Sequence, residues 1–70
     1  MKHRDLIRKL RELAKAHDVE VVSDGGGDHE KWLVGSIRVM VPRHREIAEV
    51  LARAILKDVA KVLAAQKEEQ

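Results

Sequence analysis

Apolar positions between residues 5 and 17 recur at the spacing of an amphipathic helix. The stripe consists of Leu6, Ile7, Leu10, Leu13, Ala14 and His17, and the opposite face carries Arg8, Arg11, Glu12 and Lys15. Asp5 adds a negative charge near the start of the segment, where the helix dipole favours one. The pattern predicts a first helix that packs by one face.

Three short strands are predicted to follow this helix. Residues 19–22 read as a strand that ends at the glycine-rich break 23–27. Residues 31–34 and 37–41 read as two more strands, separated only by Gly35–Ser36. A two-residue Gly-X connection is typical of a type II′ hairpin, so the second and third strands should pair in antiparallel fashion.

Residues 46–63 show the clearest helical periodicity in the chain. The predicted apolar stripe is Ile47, Val50, Leu51, Ala54, Ile55, Val59, Val62 and Leu63. Pro42 lacks a backbone donor and is expected to end the strand before this helix. The order α-β-β-β-α predicts an α+β fold, a three-stranded antiparallel sheet with both helices on one face. We expect a single domain over residues 1–64 and a C-terminal tail over residues 65–70.

The hairpin turn sets which side chains share a face of the sheet. It pairs Val34 with Ile37, Leu33 with Arg38, Trp32 with Val39 and Lys31 with Met40. The face toward the helices is then Trp32, Val34, Ile37, Val39 and Val41, and the open face carries His29, Lys31, Leu33, Arg38 and Met40. A register shifted by one residue would bury Lys31 and Arg38, at a cost of several kcal/mol per unpaired charge. The register therefore predicts that His29 faces solvent beside two cations.

Composition and charge narrow the function classes. The chain has 70 residues and no cysteine, so a disulfide framework and a thiolate metal site are excluded. Its first ten residues lack a signal-peptide core, and no apolar run approaches the length of a membrane span. We expect a soluble cytoplasmic protein with no membrane partner. Basic segments 1–17 and 37–57 flank the acidic segment 18–36, which permits a polyanionic partner on part of the surface.

The glycine run before His29 is the first candidate for chemistry. Glycines lack a Cβ and adopt backbone angles closed to other residues, so a phosphate can approach their N–H groups. A histidine beside such a loop can move protons near neutral pH. Three glycines alone are more typical of a plain loop, and an exposed hairpin histidine is more often simply solvated.

Four motifs together resemble the HicA family of toxins. They are Met1-Lys-x-Arg-Asp-Leu-Ile, Gly-Gly-x-His at 26–29, Val41-Pro-Arg-His44 and Ala52-Arg-x-Ile-Leu-Lys57. The match covers nearly the whole chain and keeps the order and spacing of the segments. The resemblance implies a double-stranded-RNA-binding-domain-like fold and metal-independent mRNA cleavage that depends on the glycine-adjacent histidine. It also implies neutralisation by a HicB-like antitoxin protein.

The resemblance places the catalytic role on His29. The family's Ser or Asn before that histidine is Asp28 here. A carboxylate at this position repels phosphate, but it can also stabilise a protonated imidazole and fix its tautomer.

RNA carries its own nucleophile, the 2′-OH, so cleavage needs proton transfer and charge stabilisation. The predicted RNA-binding residues are Gly26, Gly27, Lys31, Arg38, Arg43 and Lys57. Lys31 and Arg38 would stabilise the phosphate, and the Arg43 guanidinium suits bidentate phosphate contact. Lys57 belongs to a basic row on the last helix with Arg53 and Lys61, for which a solvated face is the favoured explanation and a phosphate-binding stripe the alternative.

The remaining histidines show no metal-binding spacing, so no metal or cofactor is predicted. We expect His3 to be exposed, His17 to pack or end the first helix, and His44 to lead into the last helix. Trp32 should face inward, which excludes a base-stacking platform.

Two alternatives to the nuclease stay open. One is a non-catalytic RNA-binding module that uses the same face of the sheet. The other is a protein-interaction subunit, weakened in catalysis by Asp28, whose acidic 18–36 segment docks a basic partner.

Overall fold

The computed structural model describes residues 1–68 and confirms the predicted order of elements. They are α1 (His3–Ala16), β1 (Val21–Ser23), β2 (His29–Val34), β3 (Ile37–Pro42) and α2 (Glu49–Glu68). The strands form one antiparallel sheet in the order β1-β2-β3. Neither of the helices in residues 1–68 is long and apolar enough to cross a membrane.

The hairpin register is the predicted one. Val34 pairs with Ile37 and Lys31 with Met40, and the ladder continues beyond the prediction to His29 and Pro42. Gly35 has φ +62°, whereas Ser36 does not enter the positive-φ region. A positive φ at the first turn residue alone is the mark of a type II′ turn, so the turn chemistry predicted from the sequence is confirmed.

Both helices cover the apolar face of the sheet. The buried core consists of Leu6, Ile7, Leu10, Ala14, Val34, Val39, Val41, Ile47, Ala52, Val59 and Leu63. Trp32 and Ile37 are half-buried on the same face. Burying each large aliphatic side chain contributes about 1.5–3 kcal/mol, and this one cluster holds the sheet and helices together.

The apolar stripe of α2 differs from the predicted one. Val50, Leu51 and Val62 are 82%, 42% and 40% exposed, whereas Ala52 is fully buried. Apolar residues surround much of this helix, so periodicity alone did not select the buried face. The helix also continues through Glu68, so residues 65–68 are helical rather than a separate tail; residues 69–70 lie outside the described range.

A short β-bridge near the end of β3 explains why α2 begins later in the sequence than predicted. Lys2 forms an antiparallel β-bridge with Glu46. The His3 N–H donates to the Arg45 carbonyl at 2.9 Å, and the Ile47 N–H donates to the Met1 carbonyl at 2.7 Å. Because segment 45–47 is extended by this pairing, α2 begins at Glu49 rather than at the predicted residue 46. The same pairing brings the first turn of α1 beside the segment between β3 and α2.

Candidate RNA-binding site

His29 lies on the open face of the sheet, as the register predicts. It is the first residue of β2, pairs with Pro42 and is exposed. Lys31, Arg38 and Met40 are exposed on the same face, whereas Val34, Val39 and Val41 are buried on the other. The imidazole is therefore accessible to a large ligand.

The two predicted cations lie at different distances from His29. Lys31 follows two residues later on the same strand, about 7 Å along the sheet. Arg38 pairs with Leu33, four residues from the His29 position and thus about 13 Å away along the strands. Lys31 can contact a phosphate at the imidazole, whereas Arg38 is placed for a neighbouring phosphate of the same chain.

The glycine loop is held against the backbone of β2. The Lys31 N–H donates to the Gly25 carbonyl and the Asp24 N–H donates to the Lys31 carbonyl, each at 2.7 Å. Gly26 has φ +121°, and a Cβ there would overlap the His29 carbonyl oxygen and lie 3.0 Å from the Lys31 nitrogen. Glycine at position 26 is thus required by the close approach of two backbones.

Arg43 clamps this loop from the end of β3. Its Nε donates to the Gly27 carbonyl at 2.7 Å, and one of its terminal nitrogens donates to the Gly26 carbonyl at 3.2 Å. The other terminal nitrogen lies 3.9 Å from a Glu30 carboxylate oxygen. The guanidinium predicted to bind phosphate is therefore occupied in positioning the loop that precedes His29.

The hydrogen bonds that hold the glycine loop use its carbonyl groups and leave its N–H groups available. The carbonyls of Gly25, Gly26 and Gly27 all accept hydrogen bonds. Within residues 1–68, the N–H groups of Gly25–Asp28 donate to no backbone carbonyl. These four residues are exposed, so their amides are free to bind an anion beside His29.

Lys57 is not brought to this site. It lies on α2 in a groove against α1, together with Lys9 and Leu13. The helices cover the opposite face of the sheet from His29, so an RNA bound at the open face does not reach Lys57 without wrapping around the domain.

His3 is not freely exposed, contrary to the sequence expectation. Its side chain is 25% exposed, and its Nε2 lies 2.7 Å from Oε1 of Glu30. The Trp32 indole N–H donates to the same carboxylate oxygen at 2.9 Å. Glu30 lies on the helix-facing side of β2 with Trp32, and His3 reaches it because the 45–47 pairing holds the start of α1 there.

The environment of Glu30 favours its charged form. Burial raises the pKa of this carboxyl, but the hydrogen bonds from Trp32 and His3 and the charges of His3 and Arg43 together hold the pKa below its usual value. The Glu30 carboxylate can stay charged although it is partly buried, because Trp32, His3 and Arg43 stabilise the negative charge.

His3, Glu30 and Arg43 lie at one side of an open cavity of about 800 Å³. It is lined by Lys2, His3, Arg4, Glu30, Arg43, His44 and Arg45. The sequence prediction placed only Arg43 among candidate ligands and missed Lys2, Arg4, Arg45 and the His3–Glu30 contact. One feature of the sequence could have indicated this contact: the predicted register places Glu30 on the buried face, where the prediction gives its carboxylate no partner.

The other predictions for individual aromatic and histidine side chains are confirmed. Trp32 faces the helices and is half-buried, with the Arg11 guanidinium 5.8 Å from its ring centre. His17 caps the C-terminal end of α1, and His44 lies in the segment before α2. Among the side chains of residues 1–66, no three of His, Asp or Glu are grouped so that they could hold a metal ion.

Comparison of the chain with protein-family models, curated proteins and solved structures gives no match.

Proposed function

We propose that the chain is a HicA-type toxin, an endoribonuclease that cleaves mRNA with His29 as its proton-transferring residue. The observation that carries the proposal is the position of His29, exposed on the open sheet face between free loop amides and Lys31. An RNA phosphate bound by the amides of Gly26 and Gly27 would lie beside the imidazole and the lysine. The sequence motifs support assignment to the HicA family, and the geometry around His29 supports the proposed cleavage chemistry.

The proposed reaction needs no metal and no covalent enzyme intermediate. His29 takes the proton from the ribose 2′-OH, whose oxygen bonds to the adjacent phosphorus as the bond to the 5′-oxygen breaks. The departing 5′-oxygen receives a proton from water, and the protonated His29 returns its proton to the hydroxide so formed. The products are a 2′,3′-cyclic phosphate and a 5′-OH end. A positioned general acid–base contributes about 10²–10⁴-fold, and Lys31 stabilises charge on the phosphate.

We further propose a HicB-like antitoxin protein as the partner and the cytoplasm as the compartment. Both follow from the family resemblance. An antitoxin that covers the open sheet face would block access of RNA to His29.

A non-catalytic RNA-binding module is the second candidate, and one observation favours it. Arg43 is committed to the loop carbonyls and Arg38 lies far along the strand, so Lys31 is the single predicted cation close to His29. Such a site binds phosphate more readily than it stabilises a transition state. Asp28 beside His29 would weaken catalysis further.

The products of RNA incubation distinguish the two candidates. The purified chain is incubated in EDTA with a defined RNA and with the same oligonucleotide carrying 2′-deoxyribose throughout, and the new ends are identified by mass spectrometry. Cleavage of the RNA alone, with 2′,3′-cyclic phosphate ends, supports the nuclease. Binding of RNA without cleavage supports the module, and cleavage of the deoxy strand contradicts the proposed chemistry.

A further inference from the structure

The cavity between residues 2–4 and 43–45 has the charge and construction of an anion site. Four cationic side chains, Lys2, Arg4, Arg43 and Arg45, line it together with His3 and His44. Glu30 is the single carboxylate in its lining, and that group is already bonded to His3 and Trp32 and lies near Arg43. The remaining cations have no such partner among the lining residues.

Three of these cations are free to meet a ligand. Lys2, Arg4 and Arg45 are exposed, and none of them has a carboxylate of residues 1–66 within ion-pair distance. They converge because the Lys2–Glu46 bridge and the hydrogen bond from His3 to Arg45 hold both segments in place. Bringing like charges together is unfavourable unless an anion joins them, so the arrangement favours an anionic occupant.

The cavity also borders the proposed cleavage site. Glu30 lines the cavity and follows His29 directly on β2, with its side chain on the opposite face. Arg43 touches both regions, since it contacts the glycine loop and Glu30. A nucleic-acid strand that passes His29 can therefore continue over the end of the sheet into the cavity.

We propose that this cavity binds a backbone phosphate of the RNA, next to the one at His29, through Lys2, Arg4 and Arg45. This inference rests on the proposed RNA recognition but not on cleavage. The cavity extends the RNA contact around the end of the sheet, where Arg38 and Lys57 do not reach. The Arg4 and Arg45 guanidinium groups can bind a phosphate in bidentate fashion, and RNA is the preferred source because the cavity adjoins the proposed phosphate site at His29.

The test measures RNA binding without cleavage. A fluorescent single-stranded RNA is titrated with the full chain carrying His29→Ala, alone or combined with Arg4→Gln and Arg45→Gln. The matched control combines His29→Ala with Lys15→Gln and Lys61→Gln, which removes two exposed cations outside the cavity. Circular dichroism melting confirms that each variant is folded.

We expect the cavity variant to bind RNA at least about tenfold more weakly than the control variant, because its charge-assisted hydrogen bonds to phosphate are removed. Its affinity should also fall less steeply with salt, by about 0.7 in logarithmic slope for each phosphate of a single strand that the variant no longer neutralises. Equal affinity of the two variants overturns the proposal. If the cavity variant binds RNA more weakly while the wild type binds RNA without cleaving it, the result supports the phosphate site in the cavity and rejects the proposed nuclease activity.

The single tryptophan reports on Glu30, the carboxylate in the cavity lining. The Trp32 indole N–H donates to Glu30, so its one indole resonance in a ¹H–¹⁵N spectrum should shift when RNA binds. Inorganic phosphate and poly-glutamate are titrated at matched ionic strength. A shift produced by RNA supports the proposal; a shift produced only by free phosphate or by poly-glutamate assigns the cavity to a small anion or an acidic protein and overturns it.

Discussion

The imidazole Nε2 of His3 lies 2.7 Å from the carboxylate Oε1 of Glu30, across 27 positions of sequence. The contact joins the first turn of α1 to the start of β2, immediately behind His29. Arg43 extends it to the glycine loop, since its guanidinium contacts Glu30 and donates to the Gly26 and Gly27 carbonyls. The loop that precedes His29 is thus positioned by Arg43, which is linked through Glu30 to His3 at the start of α1.

We expect Glu30→Gln to lower the free energy of unfolding at neutral pH by about 1.5–3 kcal/mol, the usual value of hydrogen bonds to a charged group. The pKa of Glu30 is lower in the folded chain than its ordinary value of 4.5. Its stabilisation is therefore complete above the unfolded pKa and is lost as the pH falls through the lowered folded pKa. Between pH 7 and pH 3, the free energy of unfolding measured with urea should fall less in Glu30→Gln than in wild type.

Glu20→Gln is the control, because Glu20 is exposed and forms no ion pair within residues 1–68. The same acid dependence in wild type and Glu30→Gln would contradict the role assigned to Glu30.

The three consecutive glycines should respond differently to alanine. Gly26→Ala must displace the His29 carbonyl and also strains a φ of +121°, so we expect a loss of about 1–3 kcal/mol in unfolding free energy. Gly25→Ala has open space but a φ of +79° and should cost about 1–2 kcal/mol. Gly27→Ala meets nothing within 4 Å and should be nearly neutral. Chemical denaturation of the three variants measures the order, and an equal effect at all three positions would reject the loop geometry.

Arg43→Gln should loosen the glycine loop. Loss of two hydrogen bonds to carbonyl oxygens predicts destabilisation of about 1–3 kcal/mol. It also predicts faster exchange of the Asp24 and Lys31 amides, whose N–H groups donate at 2.7 Å in the pairing of the loop with β2. Arg45→Gln, at an exposed position with no ion pair to residues 1–66, should leave that exchange unchanged. Hydrogen exchange followed by NMR compares the two variants. Unchanged exchange in Arg43→Gln would show that the clamp does not hold the loop.

The sequence predicted the sheet well because a two-residue turn and an alternating pattern leave little freedom. Gly35–Ser36 sets the register, and the register alone places His29 on the open face. The cavity was not predictable in this way. It depends on the pairing of Lys2 with Glu46, a contact over long sequence separation with no local signature. The buried face of α2 was predicted only in part: Val59 and Leu63 are buried as expected, but Val50 and Leu51 are exposed although they are as apolar as the residues that pack.

Core substitutions test that correction of α2. Leu63→Ala removes a side chain of α2 that is only 2% exposed and should cost about 2–5 kcal/mol. Val50→Ala removes one that is mostly exposed and should change stability by less than about 0.5 kcal/mol. Thermal and urea unfolding give both values. A large loss at Val50 would mean that the predicted stripe, and not the observed one, faces the core.

The rate of RNA cleavage by His29→Ala tests the central claim most directly. In single-turnover assays with EDTA, we expect this variant to cleave at least about 100-fold more slowly than wild type, as loss of a positioned general acid–base predicts. His17→Gln, at the far end of α1, serves as the histidine control and should cleave like wild type. Cleavage by His29→Ala at the wild-type rate would contradict the account.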